Sequence, residues 1–148
     1  MKMTNFVLIN LMNTLQVYAE KKLPQKISYA ITRNIMNIAR EYQIYESQLK
    51  KIFDEYSEYM IKDDKGEIKV NRNAIPIVEE IVSKEFNQQI EDLLNIEINV
   101  DMYFINPNNF DYEDNGHYDA MSANDIMILQ SILCEPEKDK SDNESNKS

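Results

Sequence analysis

The densest run of ligand-type and acid–base side chains is Asp111-Tyr112-Glu113-Asp114-Asn115-Gly116-His117-Tyr118-Asp119. Laid on a calcium-binding loop, Asp111, Glu113, Asn115, Gly116 and Asp119 take positions 1, 3, 5, 6 and 9. Position 12 falls on Ser122, where that chemistry needs a bidentate glutamate, and helical patterns do not flank the run closely on both sides. The run reads as a solvated acidic loop with Gly116 at a turn, and no metal is expected. His117 is the only histidine, so a Ser–His–Asp or Cys–His hydrolase would depend on it, yet its loop offers no neighbouring nucleophile. Cys134 is the only cysteine, which excludes an intrachain disulfide, and no base or metal partner lies nearby in the sequence. With Gly66 and Gly116 as the only glycines, neither a Walker loop nor a dinucleotide fingerprint can be built, and CxxC and HExxH are missing. The expectation is a non-enzyme without a cofactor.

The charged groups point instead to binding. Lys26, Arg33 and Arg40 are seven apart and share one helical face, with Lys21 and Lys22 just before them. Residues 1–52 balance at +5 and residues 53–148 at −15, giving the net −10. That net charge disfavours direct nucleic-acid binding and promotes solubility. The basic face suits an acidic partner, or the acidic tail of the chain itself. Asp101, Asp111, Glu113, Asp114 and Asp119 form a second candidate face, one that could imitate the phosphates of a nucleic acid.

Four helical segments and a little β-structure must position these groups. Over 4–21, Val7, Leu8, Leu11, Leu15 and Tyr18 recur at helical spacing, with Thr4 or Asn5 as cap. Leu23-Pro24 ends that helix. From 24 to 60, Ile31, Ile35, Ile38, Tyr42, Tyr45, Leu49, Ile52, Tyr56 and Tyr59 alternate in steps of four and three, which predicts one long helix. Ile61, Gly66, Ile68 and Val70 predict a short hairpin, and 76–94 a third helix. Ile96, Ile98, Val100, Met102 and Phe104 alternate with polar residues and predict a strand. Residues 106–121 read as a loop. Ser122 and Asp125 form a capping box for a short final helix carrying Ile126, Leu129, Ile132 and Leu133. No internal repeat is apparent.

The long stripe also fits heptads, but four tyrosines occupy the seam and paired flanking charges are missing, so a coiled-coil dimer is disfavoured. The first and third helices together match the long one in length, so each can cover half of it. The expected fold is α+β and predominantly helical. It has a long central helix packed by two shorter helices, a small antiparallel β element and a short C-terminal helix. Residues 1–134 form one globular domain, monomer rather than dimer, and 135–148 a disordered acidic tail without apolar side chains. No secretory signal or membrane span is visible, which leads to an expected cytoplasmic location in the host cell and no membrane partner.

The order KKLPQKISYAITRNI, long charged helix, glycine-containing turn, FNQQIEDLLNIEINVDM and MSANDIMILQSIL resembles a family of small uncharacterised phage and prophage proteins from Gram-positive bacteria. The resemblance covers residues 5–133, rests on packing and turn residues, and implies no activity and no functional residues. Together with the missing catalytic constellation, the small size and the two-signed surface, it leads to the expectation of a non-enzymatic phage accessory protein that binds another protein, of host or phage. One form of that expectation is an acidic inhibitor of a host defence nuclease. The alternatives are a particle component or assembly factor, and a small hydrolase using His117.

Overall fold

The structure, a computed structural model, describes residues 1–137. The disorder expected for the tail falls, from 138 onward, outside the described residues. The order of elements is Lys2–Thr4 (β1), Asn5–Ala19 (α1), Gln25–Glu55 (α2), Glu80–Leu94 (α3), Glu97–Asn99 (β2) and Ala123–Leu133 (α4), with 3₁₀ turns at Ser57–Tyr59 and Pro107–Phe110. This is the expected predominantly helical α+β architecture, with α2 packed by α1 and α3. The length relation holds as well: α1 and α3 have 15 residues each and α2 has 31.

The chain divides into two compact units. The first is formed by Met1–Asn10 and Ile38–Val100. Its core joins Tyr56 near the end of α2 to Phe86 and Ile90 on α3 and to Val78, with Leu49, Ile52 and Phe53 packed beside them. The Tyr56 and Phe86 rings meet edge to face at 5.2 Å, and Gln89 Nε2 donates to the Tyr56 hydroxyl at 3.0 Å. β1 pairs antiparallel with β2, Met3 opposite Ile98. Thr4 caps α1, its hydroxyl accepting from Val7 N at 3.3 Å. The next residue, buried Asn5, donates through Nδ2 to Leu93 O at 2.9 Å and so satisfies a carbonyl at the end of α3.

Three boundaries differ from the sequence expectation. α2 stops at Glu55 rather than at 60, because the chain beyond it is recruited into β pairing: Tyr59 O accepts from Glu79 N, and Met60 bridges Val78. Tyr59, the last residue of the stripe, therefore lies outside the helix and is exposed. The same pairing delays α3 to Glu80, since Pro76 bridges Val70. The strand expected over 96–104 is regular only at Glu97–Asn99; Val100 still exchanges backbone bonds with Met1, its N donating to Met1 O at 3.0 Å and its O accepting from the Met1 ammonium at 2.6 Å, and from Asp101 onward the segment has no strand partner.

The chain from 60 to 78 also holds a repeat that the sequence does not display. The bridges Lys62–Ile68, Val70–Pro76 and Val78–Met60 follow one another at steps of eight residues and then close. Ile61, Lys69 and Ile77 donate backbone bonds round a triangle, each at 2.9 Å: Ile61 N to Ile77 O, Ile77 N to Lys69 O, Lys69 N to Ile61 O. The two turns repeat as well. Asp63 Oδ1 accepts from Lys65 N and Glu67 N, and Asn71 Oδ1 from Asn73 N and Ile75 N. Gly66 and Ala74 then take the left-handed conformation, at φ 80° and 60°. Only the turn-forming Asp/Asn and the backbone recur, so the repeat is a property of hydrogen bonding rather than of sequence identity.

The second unit is formed by Leu11–Asn37 and the described residues from Asp101 onward. Met12, Leu15 and Tyr18 of α1, Ile27, Ala30 and Ile31 of α2, Phe110, and Leu129 and Leu133 of α4 are buried there. The capping box of α4 forms as expected, Asp125 N donating to Ser122 Oγ and Ser122 N to Asp125 Oδ2. Asp125 Oδ1 also accepts the Tyr18 hydroxyl at 2.7 Å, tying the start of α4 to the end of α1.

Candidate functional site

The second unit carries a cleft of about 500 Å³ lined by Gln25, Lys26 and Tyr29 from the start of α2 and by Tyr103, Ile105, Asn106 and Asn109 from the chain after β2. A smaller depression of about 370 Å³ continues along α2 past Thr32 and Arg33 to Met36 and Asn37. Tyr29 forms a wall of both.

Helical spacing builds one side. Tyr29 follows Lys26 by three residues and precedes Arg33 by four, so all three share a face. The opposite side would drift without a tether, because 101–106 has no strand partner. The tether is Asn34, which is 0% exposed. Its Nδ2 donates to Tyr103 O at 2.9 Å, and its Oδ1 accepts from Tyr103 N at 2.7 Å. One amide side chain thus replaces the missing strand neighbour, pairing both main-chain groups of Tyr103. Ile105 N donates to Leu133 O at 2.8 Å, anchoring the same segment to the end of α4. Asn106 Oδ1 accepts from Asn108 N and caps the 3₁₀ turn whose buried Phe110 closes the far end.

Aromatic and cationic groups meet on this frame. The Tyr29 and Tyr103 rings lie edge to face at 5.6 Å. Arg33 Nη1 donates to the Tyr29 hydroxyl at 3.1 Å, and its guanidinium carbon sits 5.6 Å from the Tyr103 ring centre. Tyr29 is 51% exposed and Met36 71%, so the apolar surface here is open to a ligand. The guanidinium has five N–H donors, of which the Tyr29 bond uses one.

Lys26 and Arg33 belong to this unit and flank Tyr29, whereas Arg40 is exposed in the other unit. Asp101, Asp111, Glu113 and Asp114 are exposed. Asp114 Oδ1 accepts from Gly116 N at 3.0 Å, a turn within the loop. Asp119 serves the frame: its Oδ2 accepts from Lys22 N at 2.7 Å while its own N donates to Lys22 O at 2.8 Å. His117 packs edge to face on Tyr118, which packs likewise on Tyr112. Burial pushes the Cys134 thiol pKa up, so the thiol holds its proton more tightly. Among the described residues, no group of three or more His, Cys, Asp or Glu is placed to hold a metal ion, and no helix is long and apolar enough to cross a membrane.

The sequence pattern exposes Lys26 and Arg33 but passes over Tyr29, Tyr103, Asn34 and Asn106. Tyr29 had a signal, its spacing from the two cations. Asn34 had none, because a polar residue beside an apolar stripe reads as solvated. Compared with protein-family models, curated proteins and solved structures, the chain gives no match.

Proposed function

We propose that this chain is a non-catalytic protein-binding module whose binding surface is the cleft around Tyr29, and whose partner presents carboxylates there. The observation that carries the reading is the joint placement of exposed Tyr29 and Tyr103 with Lys26 and Arg33. Exposed aromatic and arginine side chains are the groups that supply most binding energy at protein interfaces. The cations select an acidic partner. The phage or prophage setting of the module rests on the sequence resemblance alone.

A second face is open to the same test. The acidic stretch Asp111, Glu113 and Asp114 is held between buried Phe110 and the Asp119–Lys22 latch, so it projects from fixed ends. It fits the inhibitor reading, in which carboxylates occupy a basic groove on a nuclease.

Affinity capture from infected host cells separates the two. Lys26→Glu/Arg33→Glu should abolish capture of a partner whose retention falls with salt. If capture survives that variant but is lost in Asp111→Asn/Glu113→Gln/Asp114→Asn, the acidic stretch is the binding face and the cleft reading is refuted.

A further inference from the structure

We propose that Asn115 and Gly116 form a self-modifying site: the Gly116 main-chain nitrogen displaces the Asn115 side-chain amide as ammonia, and the acidic stretch gains a carboxylate. The inference is independent of the binding reading above, because it rests on bonds within the loop.

Asn115-Gly116 is the only Asn–Gly pair in the chain. The reaction is intramolecular, so its rate depends on how readily the nitrogen reaches the side-chain carbon Cγ. Glycine has no Cβ to crowd the closing ring, and its backbone turns freely. Asn115 is exposed, and among the described residues its side-chain amide has no hydrogen-bond partner. Gly116 N makes no main-chain bond either and donates only to Asp114 Oδ1, at 3.0 Å. Both reacting groups are thus free but for one exposed hydrogen bond.

Other asparagines lack this combination. Asn13, Asn37 and Asn87 lie within helices, where the following N–H belongs to the hydrogen-bond ladder. Asn73 sits in an exposed turn, but Ala74 carries a Cβ and its N is tied to Asn71 O at 3.0 Å.

The step balances without a cofactor. Gly116 N loses its proton to solvent and bonds to Asn115 Cγ, while the Cγ–Nδ2 bond breaks and ammonia leaves with a proton from water. The product is a five-membered succinimide. Water then opens it at either carbonyl. Breaking the new N–Cγ bond gives an aspartyl residue, and breaking the original peptide bond gives an isoaspartyl residue whose chain runs through Cβ and Cγ. Asp114 restrains the first step: its carboxylate holds the hydrogen that must leave and repels the negative charge that remains. Buried Phe110 and the Asp119–Lys22 bonds fix the two ends of the stretch, so the extra main-chain atom and the added carboxylate, beside Asp111, Glu113 and Asp114, stay between them.

Incubation of the purified full chain in heavy-oxygen water at physiological temperature and pH tests this, read by peptide mass spectrometry with electron-transfer fragmentation. Position 115 should lose its amide, gain one solvent oxygen and appear as both isoaspartyl and aspartyl forms, with Asn73 intact and the thermal midpoint unchanged. Asn115→Gln and Gly116→Ala should each abolish the change over the same period. The native chain should react about two- to tenfold more slowly than the chain in guanidinium chloride, the range for one exposed hydrogen bond, and Asp114→Ala should close that gap. An intact Asn115 in the native chain, with reaction only in denaturant, overturns the proposal. An aspartyl product without the isoaspartyl form overturns Gly116 N as nucleophile, since water then attacks the amide directly. Equal loss at Asn73 overturns the selectivity, and a gap that persists in Asp114→Ala overturns the restraint by Asp114.

Discussion

Asn34→Leu is the most direct probe of how the cleft is held. Leucine is somewhat larger and equally at home in a helix, but it deletes both hydrogen bonds to Tyr103. Each such bond contributes about 0.5–1.5 kcal/mol net, so the pair supports about 1–3 kcal/mol. Leaving a buried N–H and C=O unpaired costs about 1–3 kcal/mol each. Tyr103 is 36% exposed, so water reaches part of its main chain and the low end of that range applies. The better helix propensity of leucine returns up to about 0.7 kcal/mol. The balance is a destabilisation of about 2 kcal/mol. For a chain of this size that corresponds to a fall of about 4–8 °C in Tm. Urea denaturation gives the free energy, and hydrogen exchange at the Tyr103 amide gives the local effect, with protection lost at Tyr103 before the core of α2. A change within about 0.5 kcal/mol, with exchange at Tyr103 unaltered, would refute the assignment of Asn34 as the tether.

Two further expectations concern the frame. The Tyr18 hydroxyl, followed by the bonds from Ser122, holds the Asp125 carboxyl below its ordinary value, and that same bond with burial raises the Tyr18 phenol. A depressed carboxyl stabilises above the ordinary aspartate value of about 3.9 and loses that contribution as pH falls through the folded value. A raised phenol stabilises below pH of about 10 and loses its contribution as pH rises through the folded value. The stability gap between wild type and Tyr18→Phe should therefore be widest near neutrality and shrink in both acid and strong alkali, as chemical denaturation across pH will measure. In the eight-residue repeat, Ala74 takes the conformation that Gly66 takes one repeat earlier. Ala74→Gly should stabilise by up to about 1 kcal/mol and Gly66→Ala should destabilise by about 1–2 kcal/mol, although no atom crowds the added methyl group. Equal thermal midpoints for both variants and wild type would remove backbone strain as the reason for glycine at 66.

The local elements were legible because each has a local cause. The stripe from Ile31 to Tyr56 repeats at helical spacing, the Ser122–Asp125 box closes within four residues, and Leu23-Pro24 forbids helix continuation. Such signals set the helices and the predominantly helical class without reference to anything distant. The cationic row was legible for the same reason, being a matter of spacing on one helix.

Tertiary structure decided what depends on residues far apart in the chain. α2 ends at Glu55 because the segment after it, 59–61, pairs with 77–79, and no pattern inside the helix announces that partner. Asn34 becomes a core residue because Tyr103, 69 positions later, offers it a donor and an acceptor at once. A buried amide is costly unless both of its ends are satisfied, so its place is set by the partner and not by its own polarity. By itself, then, the sequence determined which faces are apolar and which carry charge. Only the fold brought Tyr103 against Tyr29 and turned a row of cations on a helix into one wall of a cleft.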